Sequence, residues 1–242
     1  MKYMGSKNRI AKHILPIMLR DRKEGQWWSE PFVGGANTID KVDGNRIGAD
    51  SNKSLIMCLS SLSSGWTPPK SISRDEYNEA RKSWQAGDNS NLIGYIGING
   101  SYGGRWFDGG YAGITKTKSG KERNYPLEAF KNVRSQAPAL KGIEFLHSDY
   151  QDLTIPPKSI VYCDPPYEGT KEYLLARKSG FKSEEFWQWC RGKSKEGHTV
   201  FVSEYRAPDD FKCIWQQEVK SSLSANGKSG GSKKSVEKLF TI

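Results

Sequence analysis

The sequence predicts an α/β protein with a doubly wound, mostly parallel sheet. An apolar stretch ends in Glu30 and runs into Gly34 and Gly35, the order of strand and glycine-rich turn that opens a nucleotide site in such sheets. Residues 46–50 form a second short strand that ends in an acid, and residues 159–163 form a strand that is followed by another acid. Ligands of doubly wound sheets bind beyond the carboxyl ends of the strands, so we expect these acids to share one edge.

The segment Asp164-Pro165-Pro166-Tyr167 follows the strand at 159–163. Two consecutive prolines cannot continue a sheet ladder, because each ring removes an N–H and fixes φ, so the strand stops and leaves the carboxylate at its end. The Asp164 carboxylate and the Pro165 carbonyl offer two acceptors for the N–H bonds of an amino group on a nucleobase, and Tyr167 offers a flat face for its ring. The simpler alternative is a strand-ending turn in which the acid caps a helix.

Asp50, at the end of the second strand, has two interpretations. In nucleotide-binding sheets an acid at this place accepts hydrogen bonds from ribose hydroxyls. An aspartate there is also a suitable N-cap for the helix that begins near Lys53. The two roles can coexist.

Helices and further strands follow from apolar spacing, capping residues and prolines. The segment with Ala36, Ile39 and Val42 is compatible with a helix, and residues 97–124, rich in glycine, aromatic and basic residues, predict a long functional loop. The other predicted helices span 8–22 with a kink or break at Pro16, 53–63, a helix from the Ser73–Glu76 capping box to 84, 127–136 stopped by Pro138, and 183–191 capped by Ser183; predicted strands span 143–147, 199–203, 212–218 and 236–242.

The charge balance indicates a polyanionic partner. The chain has 37 lysines and arginines against 27 acidic residues, a net charge of +10, which suits a phosphate backbone. The mean hydropathy is −0.71, and the sequence has neither an apolar run of about 18 residues nor a signal peptide, so we expect a cytoplasmic protein without a membrane span. The spacing of its cysteines and histidines predicts no metal site and no disulfide framework.

Five stretches match one protein family in its order, and weaker matches follow them. The five are Lys2–Lys7, Glu30–Asn37, Gly48–Asn52, His147–Tyr150 and Asp164–Tyr167, and the weaker ones are Val202–Tyr205, Ser224–Gly227 and Val236–Leu239. On these residues the chain resembles the Dam-type DNA adenine-N6 methyltransferases, the α class, which depend on S-adenosylmethionine. One departure is Ser6, where the family usually has a second glycine.

The resemblance implies a Rossmann-like methyltransferase sheet, mostly parallel with an antiparallel edge hairpin, plus a small inserted, mainly helical target-recognition lobe. Residues 1–59 and 142–242 would form the catalytic domain, and residues 60–141 the lobe. The implied activity is site-specific methyl transfer from S-adenosylmethionine to N6 of an adenine flipped out of double-stranded DNA, with S-adenosylhomocysteine as product and no metal. The resemblance further implies a bacterial or phage-encoded monomer, with a cognate restriction endonuclease as a candidate partner.

The resemblance also implies roles for single residues. Lys7 would lie near the cofactor carboxylate, with an ordinary solvated lysine as the alternative, and Arg105 would read a base edge or contact a phosphate. The implied catalytic residues are Asp164, Pro165, Pro166 and Tyr167; those on the cofactor side are Tyr3, Lys7, Glu30, Phe32, Gly34, Gly35, Asp50, Asp149, Tyr150 and Asp164; those that contact DNA are Asn99, Arg105 and Tyr111. The composition of residues 220–234, rich in glycine, serine and lysine, adds Lys228, Lys233 and Lys234 as predicted DNA contacts, with a plain flexible loop as the alternative.

Three other functions remain open at this point. An N4-cytosine methyltransferase would use a similar pocket, although members of that type more often carry serine in place of Asp164. A protein glutamine or ribosomal methyltransferase usually has asparagine there. A catalytically silent DNA-binding module would explain the positive charge, but it would have no reason to retain Tyr3, Lys7, Asp50 and Asp164 together.

Overall fold

The computed structural model describes residues 1–116, 119–167, 181–220 and 234–242. Within these residues the strands are β1 Trp28–Glu30, β2 Arg46–Asp50, β3 Ile114–Lys116, β4 Glu122–Asn124, β5 Ile143–His147, β6 Ile160–Cys163, β7 Thr199–Glu204, β8 Lys212–Lys220 and β9 Lys234–Thr241. The helices are α1 Ala11–Met18, α2 Lys53–Ser63, α3 Arg74–Gln85, α4 Asn91–Asn99, α5 Tyr125–Leu140 and α6 Ser183–Lys195, with short 3₁₀ helices at Lys7–Arg9, Ile39–Lys41 and Tyr102–Gly104.

Seven of the strands form one sheet in the order β5-β2-β1-β6-β7-β9-β8. The strands from β5 to β7 are parallel, and the hairpin of β8 and β9 joins β7 in antiparallel orientation. This confirms the predicted mostly parallel, doubly wound sheet with its antiparallel edge hairpin. The strand order reverses between β1 and β6, and a crevice at such a switch point is where doubly wound sheets bind ligands.

Several helices and strands lie where local sequence signals predict them. The helix predicted at 53–63 is α2, and the strand predicted at 143–147 is β5. Strand β6 ends at Cys163, and Asp164 separates it from the two prolines. The capping box of α3 is formed: the Ser73 hydroxyl accepts from the Glu76 N–H at 3.1 Å, and the Glu76 carboxylate accepts from the Ser73 N–H.

Two prolines that were expected to break helices lie inside them. Pro16 is in α1, which continues to Met18, and Pro138 is in α5, which continues to Leu140. A proline leaves the carbonyl four residues earlier without its helical donor. Both prolines are exposed, as are Lys12 and Arg134, the residues four positions earlier, so water can satisfy these carbonyls.

Other predictions are corrected in extent. After the glycine turn the chain forms only the 3₁₀ helix Ile39–Lys41 rather than a full helix. The N-cap of α6 is Lys182, and Ser183 is already helical. Residues 97–124 are not one loop, because they contain the end of α4, a 3₁₀ helix and the hairpin of β3 and β4.

Helix α4 was not predicted, because Gly94 and Gly97 lower its helix propensity and glycine-rich sequence is typical of loops. The structure shows why they are needed: a Cβ on Gly94 would lie 2.0 Å from the carbonyl oxygen of Ser54 in α2. A Cβ on Gly97 would lie 2.9 Å from the rings of Trp106 and Phe107. The missing side chains let α4 approach α2 closely, which buries residues of both helices in one core.

Replacing Gly94 with alanine is therefore expected to destabilise the fold by about 2 kcal/mol, because α4 must move away from the α2 backbone to admit the methyl group. Gly192→Ala in α6 is the matched control. A Cβ on Gly192 would meet no heavy atom within 4 Å, so this variant should gain about 0.5–1 kcal/mol from helix propensity. Chemical denaturation of both variants measures the two changes, and equal stabilities would contradict the close approach.

One hydrophobic core joins the sheet to α3 and α4, and it includes Leu55, Tyr77 and Tyr95. The division into a catalytic domain and a lobe at 60–141 therefore stays a prediction. Among the described residues, no helix is both long and apolar enough to cross a bilayer.

Candidate active site

A cleft of about 1150 Å³ opens at the carboxyl ends of β1, β2 and β6. It is lined by every residue that the sequence analysis assigned to catalysis or to the cofactor: Tyr3, Lys7, Glu30, Phe32, Gly34, Gly35, Asp50, Asp149, Tyr150, Asp164, Pro165, Pro166 and Tyr167. Pockets for one small ligand have volumes of roughly 300–1,000 Å³. This cleft is large enough for a nucleoside-sized ligand and a second planar group beside it.

The glycine turn after β1 lies directly against the N-terminal segment. Gly34 has a positive φ of +47°, and a Cβ there would lie 2.8 Å from the ring of Tyr3. A Cβ on Gly35 would lie 2.6 Å from the Tyr3 Cβ. Glycine is required at both positions because the tyrosine occupies the space that a side chain would need.

Gln136 of α5 forms hydrogen bonds to the backbone of this turn, a contact that was not predicted from the sequence. Its Nε2 donates to the carbonyl oxygens of Gly35 and Ala36 at 3.1 and 3.0 Å, and to the Asp40 carboxylate at 2.8 Å. Gln136 is about a hundred residues away in the chain, so no local pattern links it to the turn.

Asp50, at the end of β2, connects the glycine turn to the second helix. Its carboxylate accepts from the Gly34 N–H at 3.1 Å and from the Asn52 N–H at 2.9 Å. Burial raises the pKa of Asp50, against the lowering effect of these two hydrogen bonds. The N-cap of α2 is Asn52, whose side chain accepts from the Leu55 N–H, so Asp50 does not serve as the helix cap. Each of its oxygens retains a lone pair for a ligand in the cleft.

Glu30, at the end of β1, is 3% exposed and accepts a hydrogen bond from the Trp28 indole N–H at 2.9 Å. Burial raises the pKa of Glu30 well above its usual range, since little besides the indole compensates a negative charge there. The geometry supplies a buried carboxyl group that faces the cleft beside Asp164.

An aromatic wall closes one side of the cleft. The rings of Phe32 and Tyr150 lie 5.2 Å apart, and the ring of Phe181 lies 6.0 Å from each of them. Asp149, beside this wall, accepts from the Gln151 N–H at 3.0 Å. Phe181 was missed, since a single phenylalanine ahead of a predicted helix has no local signal. The three rings pack on one another and give the cleft an apolar, aromatic face.

The Asp164–Tyr167 segment is held by an ion pair that was not predicted. Lys7 is 7% exposed, and its ammonium group lies 2.9 Å from the Asp164 carboxylate and 3.0 Å from the carbonyl oxygen of Gly5. Burial alone lowers the pKa of Lys7, but the carboxylates of Asp164 and Glu237 outweigh it, so the pKa of Lys7 is raised. The ammonium group therefore contacts the Asp164 carboxylate, and its position near a cofactor carboxylate stays a prediction.

Burial raises the pKa of Asp164, while the charge of Lys7 lowers it. Tyr167, three residues later, donates its hydroxyl hydrogen to the Glu237 carboxylate at 3.0 Å and stacks edge-to-face on Tyr205 at 4.7 Å. Neither Glu237 nor Tyr205 was assigned a role from the sequence, although both lie within the weaker family matches.

The residues expected to contact DNA are not brought together in the same way. Asn99 is 4% exposed and donates to the Tyr95 carbonyl. The Tyr111 hydroxyl donates to the Ile72 carbonyl at 2.6 Å. Both side chains therefore form hydrogen bonds within the protein. Arg105 is half-buried and donates from Nε to the Met4 sulfur at 3.1 Å. Lys228 and Lys233 lie outside the described residues, and of Lys234 only the backbone, at the start of β9, is described.

The described residues contain no cluster of three or more metal-ligating side chains, and the absence of a metal requirement stays a prediction. Residues 108–223, just under half of the chain, match the model of one family, described as D12 class N6 adenine-specific DNA methyltransferase. The match includes Asp149, Tyr150 and the Asp164–Tyr167 segment, and it begins after the glycine turn. A comparison with curated proteins found no match.

Proposed function

We propose, from the match of residues 108–223 to the D12 class of N6-adenine-specific DNA methyltransferases, that the chain methylates N6 of an adenine flipped out of duplex DNA, with S-adenosylmethionine as methyl donor. One observation supports this choice of methyl donor and target base. A single cleft joins the glycine turn and the Asp50 carboxylate to the Asp164–Tyr167 segment. The donor and the target base can thus lie side by side.

On the donor side, S-adenosylmethionine supplies an electrophilic methyl group on a sulfonium sulfur. The glycine turn at Gly34 and Gly35 would admit the nucleoside close to the backbone, and Asp50 would accept hydrogen bonds from its ribose hydroxyls. The wall of Phe32, Tyr150 and Phe181 would hold the adenine ring of the donor. These three features fit one nucleoside in one orientation.

On the base side, Asp164 and the Pro165 carbonyl would accept the two N–H bonds of the target amine, and Tyr167 would stack on the base. The lone pair of N6 is delocalised into the purine ring, and holding both hydrogens favours the more nucleophilic geometry. A base inside a duplex cannot reach a closed cleft, so it must leave the helix at an unstacking cost of a few kcal/mol. Catalysis would then arise from positioning and from the preorganised charge of Asp164.

The proposal is tested by incubating the purified protein with random duplex DNA and labelled S-adenosylmethionine, followed by base-resolution mapping of the product. We expect N6-methyladenine within a short preferred sequence. Methyl groups on N4 of cytosine would support the alternative substrate, while DNA binding without donor binding would indicate a silent module. The same map gives the recognition sequence, and sedimentation with and without DNA tests the predicted monomer.

Arg105 is proposed to read the target sequence from the inserted region at 60–141. A bidentate contact between an arginine and guanine contributes about 1–3 kcal/mol of discrimination. Arg105→Ala is therefore expected to lose roughly 10- to 100-fold in methylation of the preferred sequence only, measured on preferred and mismatched duplexes.

Arg105→Lys is the matched variant for this test, because lysine keeps the charge but lacks the planar fork. If Arg105 reads a base edge, the lysine variant should lose specificity almost as fully as the alanine variant. If Arg105 contacts a phosphate, lysine should restore binding, and alanine should weaken all duplexes alike and flatten the dependence of log K on log salt by about one unit.

A further inference from the structure

Glu237 lies at the junction of three active-site residues, although it comes from the edge hairpin at the far end of the chain. Its Oε2 accepts the hydrogen bond from the Tyr167 hydroxyl at 3.0 Å, and the same oxygen lies 3.8 Å from the Lys7 ammonium group. That ammonium group pairs with Asp164 at 2.9 Å and lies 4.5 Å from the centre of the Tyr167 ring. One lysine thus faces two carboxylates and one aromatic ring.

These contacts constrain the ring that the proposed function places against the target base. The Tyr167 hydroxyl is tied to β9 through Glu237, and the edge-to-face contact with Tyr205 holds the ring at 4.7 Å. Without the carboxylate, the ring would keep the Tyr205 contact and the hydrogen bond between its hydroxyl and Asp164, but it would lose its link to β9. Small displacements of a positioning group reduce rates strongly, by up to about 100-fold for a shift of roughly 1 Å.

The negative charge of Glu237 acts on Asp164 as well. Burial raises the pKa of Asp164, Lys7 lowers it, and Glu237 raises it again. The other titratable groups around Asp164 are Glu30 from β1, Tyr162 and Cys163 from β6, Tyr167 in its own segment, and Tyr205 after β7, which faces Lys7. Glu237 is thus a second carboxylate that shares the lysine of the catalytic acid.

We propose that Glu237 is a positioning residue of the methyl-transfer site: it anchors Tyr167 for stacking on the flipped base and shares Lys7 with Asp164. The proposal rests on the proposed function, since it assumes that Tyr167 and Asp164 receive the target adenine. In this role Glu237 acts through Tyr167 and Asp164.

The two roles predict different results for two substitutions. Glu237→Gln keeps a side-chain oxygen that can accept from the Tyr167 hydroxyl, so the single-turnover rate near the pH optimum should stay within about threefold of the unsubstituted protein. Glu237→Ala removes the anchor, and the rate should fall by roughly 10- to 100-fold. Tyr167→Phe removes the same hydrogen bond from the other side, together with the hydrogen bond of this hydroxyl to Asp164, so combining it with Glu237→Ala should lose little more than Tyr167→Phe alone.

The pH dependence of the single-turnover rate distinguishes the effect of the Glu237 charge from that of its hydrogen bond to Tyr167. Since Glu237 raises the pKa of Asp164, Glu237→Gln should move the acid limb of the single-turnover profile to lower pH. A merely structural glutamate would leave this limb in place. Glu144→Gln is the matched control, because Glu144 is exposed on β5, at the opposite edge of the sheet, and should change neither the rate nor the limb.

The deciding experiment is single-turnover methylation of the duplex that the unsubstituted protein methylates, across pH, with thermal unfolding of each variant as a check on folding. An unshifted acid limb for Glu237→Gln, or fully additive losses for Glu237→Ala and Tyr167→Phe, would overturn the inference while methylation by the unsubstituted chain continued. If the unsubstituted chain methylated no adenine, the proposed function itself would fail, which is a different result.

Discussion

Asp164→Ala is expected to lower the single-turnover rate of DNA methylation by about 100- to 1,000-fold, the usual effect of removing one preorganised polar group from a reaction site. The physical reason is that the carboxylate would hold N6 of the target adenine, and Lys7 at 2.9 Å keeps it in place. The measurement is methyl transfer with saturating DNA and S-adenosylmethionine, so that weaker binding does not contribute. A rate near that of the unsubstituted protein would remove Asp164 from the mechanism.

The alanine variant also leaves Lys7 buried beside Glu237 without its nearer partner, so its stability needs its own measurement. Asp164→Asn is the matched variant, since the amide keeps the shape and one acceptor but no charge. We expect its rate to lie between those of the alanine variant and the unsubstituted protein. Because the predicted role of Asp164 extends to the cofactor, calorimetric titration with S-adenosylmethionine is made on both variants, and unchanged affinity would restrict Asp164 to the base side.

Asp50→Ala is expected to weaken S-adenosylmethionine binding by roughly 100-fold and to leave DNA affinity nearly unchanged. Two hydrogen bonds from ribose hydroxyls to a charged carboxylate contribute about 1.5 kcal/mol each, which together amounts to this factor. The substitution also removes the acceptors of the Gly34 and Asn52 N–H groups, so the glycine turn loses part of its support. Calorimetry with each ligand separately gives both affinities.

Asp88→Ala is the control for the loss of an acid, because Asp88 is exposed in the connection between α3 and α4. Equal weakening of cofactor and DNA binding by Asp50→Ala would indicate a general loss of structure. Unchanged cofactor affinity would mean that the carboxylate only shapes the turn, and the proposed ribose contact would be wrong.

Much of the fold was predictable from the sequence because the signals are local. A proline pair ends β6 wherever the rest of the chain lies, since it removes two N–H donors. The capping box of α3 and the short strand signal of β5 are likewise complete within a few residues. The same holds for the candidate site: an acid follows or ends each central strand, and parallel topology brings these strand ends to one edge.

The remaining features depend on contacts between distant parts of the chain. Helix α4 has weak propensity, and it forms where Gly94 allows close packing on the α2 backbone. Pro16 and Pro138 stay within helices on an exposed face, where water can satisfy the carbonyls that lose their helical donor, and local spacing does not determine which face of a helix is exposed.

The partners of the site residues also depend on contacts between distant segments. Lys7 pairs with Asp164, Gln136 supports the glycine turn, and Glu237 anchors Tyr167. Each pair joins segments separated by 70 residues or more. Local sequence places the acids, glycines and rings at the ends of strands, since propensity and hydrogen bonding act over a few residues. Only the packed sheet determines which charge faces which, because Coulomb interactions depend on distance in space.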